Sequence, residues 1–323
     1  MTMARVGLGT TGIEISEFCF GAGSIGGIGS SAATRGKGLT AEEGAARLDE
    51  AIELGVRVVD TADAYAGGDS ERAVGAWLAA GEGRPEVLVE TKVGNIGRPP
   101  QEGADLSAGH IARQLRQSIE RLGRVDLYLS HAPDPTTPLE ESLTAFAEAR
   151  AEGLIRAYGC CNVDAAALEA LLAAADRLGL PRPGWVQNRF SLVARDDEAA
   201  LLPLVAAEGL GYTPFSPLAG GVLSDRYLGG ARPEPGSHLD VAGPMYAAFT
   251  TPAVLDRVAR LTELAREREV STSGLALAWL RWHPLVTAPI VAPSRPAQWA
   301  AVREALALPL DAALRDEIDA IFA

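Results

Sequence analysis

Lysine is almost absent from this chain. Of 29 basic residues in a sequence of 323, only Lys37 and Lys92 are lysines, and arginine carries the positive charge everywhere else. Lys92 closes the apolar run VLVETK. A compact, pKa-shiftable ammonium placed there by an arginine-favouring chain supplies something a guanidinium cannot. Cysteine is scarce as well. Cys19, Cys160 and Cys161 are odd in number and include an adjacent pair, which argues against a disulfide framework or a spaced zinc site and fits small buried hydrophobes. No uninterrupted apolar run approaches the roughly 20 residues of a membrane helix. The opening MTMARVGLGTTG has no charged region leading into a long apolar stretch, so the expectation is a soluble, cytoplasmic protein without a membrane partner. Basic clusters are missing too: 29 basic against 42 acidic residues give a net charge of −13 with scattered arginines, which argues against a nucleic-acid partner.

What the sequence does contain is an alternation of short apolar runs with segments of helical period. VRVVD precedes a helix over 70–80, VLVET one over 107–122, DLYLS one over 139–151, IRAYGC one over 164–178 and WVQN one over 199–208. GYTPF precedes a long loop and helices over 252–269 and 271–282, and TAPIVA follows. With a first strand over 17–21, eight strands are marked by Phe18, Val58, Leu88, Leu127, Ile155, Val186, Tyr212 and Ala288. Strand–helix alternation implies parallel strands joined by crossover helices. Length alone admits two average domains or one large barrel. Eight units without a linker or a composition break predict a single (β/α)8 barrel over residues 1–323. RVGLGTTGIEIS reads as a β-hairpin turning at 10–12, placed to plug the bottom of that barrel. The Gly- and Pro-rich stretch 224–251 is too long for a plain connector.

Two GxGxxG patterns suggest a dinucleotide-binding Rossmann turn, one at Gly7, Gly9 and Gly12 and one at Gly21, Gly23 and Gly26. That turn needs a helix starting at the glycines so that its N-terminus meets the pyrophosphate. IEIS follows the first pattern and IGGIGSSAATRGKG the second, so neither context provides the helix.

Three apolar runs end on polar residues that packing does not explain: VRVVD on Asp60, VLVETK on Lys92 and VDLYLSH on His131, with Tyr65 five residues beyond Asp60. Singly, Asp60 fits a turn cap, Tyr65 loop packing, His131 a turn histidine and Lys92 a surface lysine. Jointly they sit at the carboxyl ends of neighbouring candidate strands, the face where barrel catalysis resides. A phenol is too weak an acid for neutral pH, but an adjacent ammonium stabilises the phenolate, so Lys92 is expected to lower the Tyr65 pKa. Asp60 is expected to hold Lys92, and His131 to orient a carbonyl or relay its proton. The chemistry implied is protonation of a developing alkoxide on a small-molecule carbonyl substrate, or its reverse on an alcohol.

These residues, in GVRVVDTADAYAGGDSE, VLVETKVG and DLYLSHAPDP, resemble the aldo-keto reductase superfamily. The likeness runs on through GCCNVD, WVQNRFS, FSPLAGGVLS and PIVAPSRPAQ. The resemblance implies a barrel enzyme that uses NADP(H), with NAD(H) as the alternative, and Tyr65 as the general acid supported by Lys92, Asp60 and His131. It implies that Asn162 and Gln187, with Cys161 beside them, meet the nicotinamide carboxamide, and that Phe215 stacks on the ring. Ser216, Leu218 and Gly220 would follow the pyrophosphate, and Ser294, Arg295 and Gln298 the adenosine phosphate. Two departures stand out: Cys161 replaces the serine of a GxSN pattern, and Ala301 and Val302 replace a Glu-Asn pair that contacts adenine. Some relatives of this fold resemble regulatory subunits, which leaves a cofactor-binding redox sensor as a further reading. Pocket-forming loop residues are expected among Ile25, Ala64, Tyr227, Met245 and Tyr246.

Overall fold

The hairpin forms where the alternating pattern placed it: β1 (Arg5–Gly7) and β2 (Glu14–Ser16) pair antiparallel. In this computed structural model, which describes residues 3–95, 103–309 and 311–323, eight further strands follow. They are β3 (Cys19–Gly21), β4 (Val58–Asp60), β5 (Leu88–Val93), β6 (Leu127–Ser130), β7 (Ala157–Cys161), β8 (Trp185–Gln187), β9 (Gly211–Tyr212) and β10 (Ile290–Val291). All eight lie in one parallel sheet ordered β10-β3-β4-β5-β6-β7-β8-β9. The ends meet: Thr287 N donates to Tyr212 O at 2.8 Å and Ile290 N to Pro214 O at 2.9 Å. The expected (β/α)8 barrel is therefore the fold, with strands that begin one or two residues after Phe18, Ile155 and Ala288.

The intervening helices are α1 (Ala41–Leu54), α2 (Asp69–Ala80), α3 (Ala108–Leu122), α4 (Leu139–Ala151), α5 (Ala165–Leu178), α6 (Leu201–Ala207), α7 (His238–Val241), α8 (Pro252–Glu267) and α9 (Thr272–Trp282). Their ends carry chemical punctuation. Thr40 and Glu43 form a reciprocal capping box at the start of α1, and Gly55 closes it in the left-handed region at φ 107°. Two helices that the strand count passed over, α10 (Trp299–Ala307) and α11 (Ala312–Phe322), complete the outer layer. The stretch 224–251 is not one open loop, since it holds α7 and 3₁₀ turns at Asp225–Gly230 and Gly243–Phe249.

Side-chain alternation sorts the strands into two cores. Outward residues such as Phe20, Val59, Val89, Tyr128, Val186 and Tyr212 join the helix-facing core. Inward residues Cys19, Val58, Leu88, Leu127, Ala157, Trp185 and Ile290 pack against Leu8, Ile13 and Ile15 of the hairpin, which plugs that end. Higher up the same inward rows the residues turn polar, at Asp60, Glu90, Lys92 and Gln187, all buried. Burying such groups is costly unless each is paired. The polar layer must therefore satisfy itself internally, and its pairing defines the candidate site.

Candidate active site

Lys92 is 1% exposed, and its ammonium spends three donors on three acceptors. Nζ donates to Asp60 Oδ2 at 2.5 Å, to the Thr61 carbonyl oxygen at 2.8 Å and to the Tyr65 hydroxyl at 3.4 Å. Strand register brings this about, because Asp60 ends β4 opposite Glu90 and Lys92 stands two residues further along β5 on the same inward face. Tyr65 arrives from the turn after β4 and lies against the loop after β3, where a β-carbon at Gly23 would stand 3.2 Å from the phenol ring. His131 follows β6, held by its N–H on Val93 O at 2.8 Å, and meets the Tyr65 ring edge-on with centroids 5.5 Å apart. The four residues singled out in the sequence thus converge at the carboxyl-end mouth. Lys37, the other lysine, is exposed.

The electrostatics correct one expectation. Burial pushes the Tyr65 phenol up to about 12, outweighing the downward pull of Lys92 beside it, so the hydroxyl keeps its proton throughout the neutral range. Burial disfavours the charged Lys92 ammonium, but Asp60 and the other acidic groups around it hold its pKa above the usual lysine value. His131 goes the other way: burial, and then the Lys92 charge, bring its imidazole down to about 3, which makes it neutral at neutral pH.

The residues that the resemblance assigns to a cofactor stand at the ends of β7 and β8 and on the segments after β9 and β10, several of them already engaged. Asn162 Nδ2 donates to His131 O at 2.8 Å, tying β7 to the histidine. Gln187 Nε2 donates to Asp60 Oδ2 at 3.1 Å and to Glu90 Oε1 at 2.8 Å, while Cys161 Sγ approaches Gln187 Oε1 at 3.8 Å, a weak thiol contact. Phe215 packs at the top of the inner core. Ser216 Oγ lies 3.3 Å from the Tyr246 hydroxyl. A β-carbon on Gly220, at φ 69°, would strike the Tyr246 ring at 2.9 Å, so only glycine lets the loop run under that tyrosine. Leu218 packs against the outer core. Gln298 Oε1 caps the turn before α10, accepting from Ser294 N, Ser294 Oγ and Arg295 N, whereas the Arg295 guanidinium pairs with Glu234 at 2.9 Å on the exposed surface. Ala301 and Val302 face inward from α10 and pack in the core. Of the expected pocket residues, Ile25, Tyr227 and Tyr246 are buried and Met245 is exposed.

The aldo/keto reductase family model matches residues 18–323, nearly the whole chain. The chain belongs to the aldo/keto reductase family. Its relatives include proteins named as channel subunits and others named as reductases. A protein named as a voltage-gated potassium channel subunit beta in Schizosaccharomyces pombe is 33% identical over 300 residues, covering 90% of this chain and 84% of the relative. One of the same kind in Oryza sativa subsp. japonica is 33% identical over 291 residues, 88% and 85%. The versiconal hemiacetal acetate reductase of Aspergillus parasiticus is 29% identical over 298 residues, 86% and 85%.

Against that family background, two features of the site went unread in the sequence. Glu90 is a buried carboxyl two residues before Lys92, legible only from its parity with Lys92 on an inward-facing strand. Backbone strain is the other. Among the described residues, seven non-glycine positions have positive φ; Ala66 follows Tyr65, and Asn162, Ser216 and Ala219 follow β7 and β9 at the carboxyl-end mouth. Strain gathered in this way marks ligand-binding edges. No described helix is long and apolar enough to cross a membrane.

Proposed function

We propose that this family member is an NADP(H)-dependent oxidoreductase that reduces an aldehyde or ketone to the alcohol, with Tyr65 as the general acid. The observation that carries the reading is the Lys92 ammonium bound between Asp60 and the Tyr65 hydroxyl inside the barrel. A bound nicotinamide supplies the hydride, and what remains of the reduction falls to the chain's own residues. His131, neutral and against the Tyr65 ring, orients the carbonyl oxygen. Tyr65 gives its proton to that oxygen as negative charge develops, and Lys92, fixed by Asp60 and Thr61 O, stabilises the phenolate left behind. The alcohol is oxidised by the same steps reversed. The test is a cofactor-oxidation screen against aldehydes, ketones and sugars, run with NADPH and NADH and beside the reverse reaction. Oxidation of alcohols or sugars with NAD, without appreciable carbonyl reduction by NADPH, makes the protein an NAD-linked dehydrogenase.

Cofactor preference turns on Arg295. Its partner Glu234 is exposed, and an exposed ion pair is worth little, so a phosphate can displace it. A guanidinium grips phosphate bidentately, and Ala301 and Val302, apolar and packed into the core where the family pattern has Glu-Asn, offer adenine no polar side-chain contact. Arg295→Ala is therefore expected to weaken NADPH binding by about tenfold or more, as for a lost hydrogen bond to a charged group, with NADH binding nearly untouched. Titrating both cofactors by fluorescence decides it: equal losses, or a native protein that binds NADH more tightly, remove the NADP(H) assignment.

A second reading rests on the potassium channel beta subunits among the relatives. In that reading the same site binds cofactor and reports its redox state to a partner protein. Tight retention of cofactor with slow single turnovers, rather than sustained reduction, is the outcome that favours it.

A further inference from the structure

The mechanism above leaves a buried acid of the barrel's polar layer without a task. Glu90 lies opposite Asp60 in the β4–β5 register and is 3% exposed, against 4% for Asp60. One cation, Lys92, faces these two carboxyl groups, and Gln187 Nε2 bridges them, 3.1 Å from Asp60 Oδ2 and 2.8 Å from Glu90 Oε1. Two carboxylates sealed beside a single ammonium leave an uncompensated buried charge, which a shared proton removes. The hydrogen bonds decide where the proton sits. Asp60 Oδ2 already accepts from both Lys92 and Gln187, whereas Glu90 accepts from Gln187 alone.

We propose that Glu90 is a positioning residue of this site: a neutral carboxylic acid that donates to Asp60 and accepts from Gln187, balancing the Lys92–Asp60 pair and fixing the orientation of the Gln187 amide. Burial, reinforced by the adjacent Asp60, holds the Glu90 carboxyl well above the usual carboxylate range. The remaining titratable groups facing it are Cys19 from β3 and Cys161 from β7, both thiols driven up by burial, while its register partner on β6 is apolar Leu127. Two consequences follow. An ionised Glu90 would add negative charge beneath Tyr65 and make its proton harder to give up; the neutral acid avoids this. Gln187, with its N–H groups committed to the carboxyls, keeps Oε1 on the Cys161 side as an acceptor for the amide of a bound ligand.

The kinetic part of this inference rests on the proposed reductase activity, and the spectroscopic part does not. Infrared difference spectra of the full chain at neutral pH, native against Glu90→Gln, are expected to show the carbonyl stretch of a protonated carboxyl in the native protein alone. Glu90→Leu, with folding verified by circular dichroism and melting, is expected to lose about 10- to 100-fold in kcat, by analogy with the loss on removing hydrogen-bonded partners of metal ligands, and to bind cofactor more weakly at unchanged substrate KM. Glu90→Gln should recover most of that loss, because its amide donates and accepts where the acid does. Absence of the carboxyl band, a folded Leu variant as fast as the native enzyme, or failure of Gln to recover more than Leu overturns the proposal. A native protein with no reductase activity at all removes the function proposed above, and the infrared result then decides the protonation state by itself.

Discussion

Tyr65→Phe is expected to abolish most turnover, by about 10² to 10⁴ in kcat, the range for removing a general acid. The substitution is unusually clean here. Phenylalanine keeps the ring that lies against Gly23 and meets His131 edge-on, and it loses only the hydroxyl that Lys92 touches at 3.4 Å. Folding and cofactor affinity should be nearly unchanged, since the lost group serves proton transfer. The native pH profile carries the same signature. With the phenol pushed up to about 12, the acid form needed for reduction is present across the neutral range, so reduction should run flat there and decline only at strongly alkaline pH. Alcohol oxidation needs the phenolate and should instead keep rising with pH. Steady-state kinetics in both directions check this, and activity within a few-fold of native in the phenylalanine variant sinks the assignment of Tyr65.

Most of this geometry was legible in the sequence because the signals are local. Runs such as VRVVD and VLVETK fix which residue stands at a strand's carboxyl end, and parallel strands bring those ends to one face. The sign of the Tyr65 shift was not legible. It depends on how completely the loops bury the phenol, a property of the folded mouth, and burial there outweighs the ammonium that the sequence did reveal. Glu90 was missed for a related reason. A glutamate inside an apolar run looks exposed until its inward parity with Leu88 and Lys92 is fixed by the strand. Arg295 could be placed on its segment, but its partner Glu234 comes from 61 residues away, on a stretch whose Gly- and Pro-rich sequence gives no period to read.

Lys92→Arg should also inactivate the enzyme, although it conserves charge. The lysine ammonium sends three donors in diverging directions, to Asp60 Oδ2, Thr61 O and the Tyr65 hydroxyl, from a side chain 1% exposed. A guanidinium is planar and larger, and its fork matches one carboxylate rather than three separated oxygens. Overpacking such a site costs about 1–3 kcal/mol, so a lower melting temperature is expected along with a fall in kcat of about 10² or more, comparable with loss of the acid itself. The two effects separate experimentally. Turnover measured well below the variant's melting temperature, on protein whose circular dichroism matches the native form, reports proton transfer alone. If that folded variant reduced carbonyls as fast as the native enzyme, positive charge alone would suffice beside Tyr65, and the near-absence of lysine elsewhere would carry no chemical meaning.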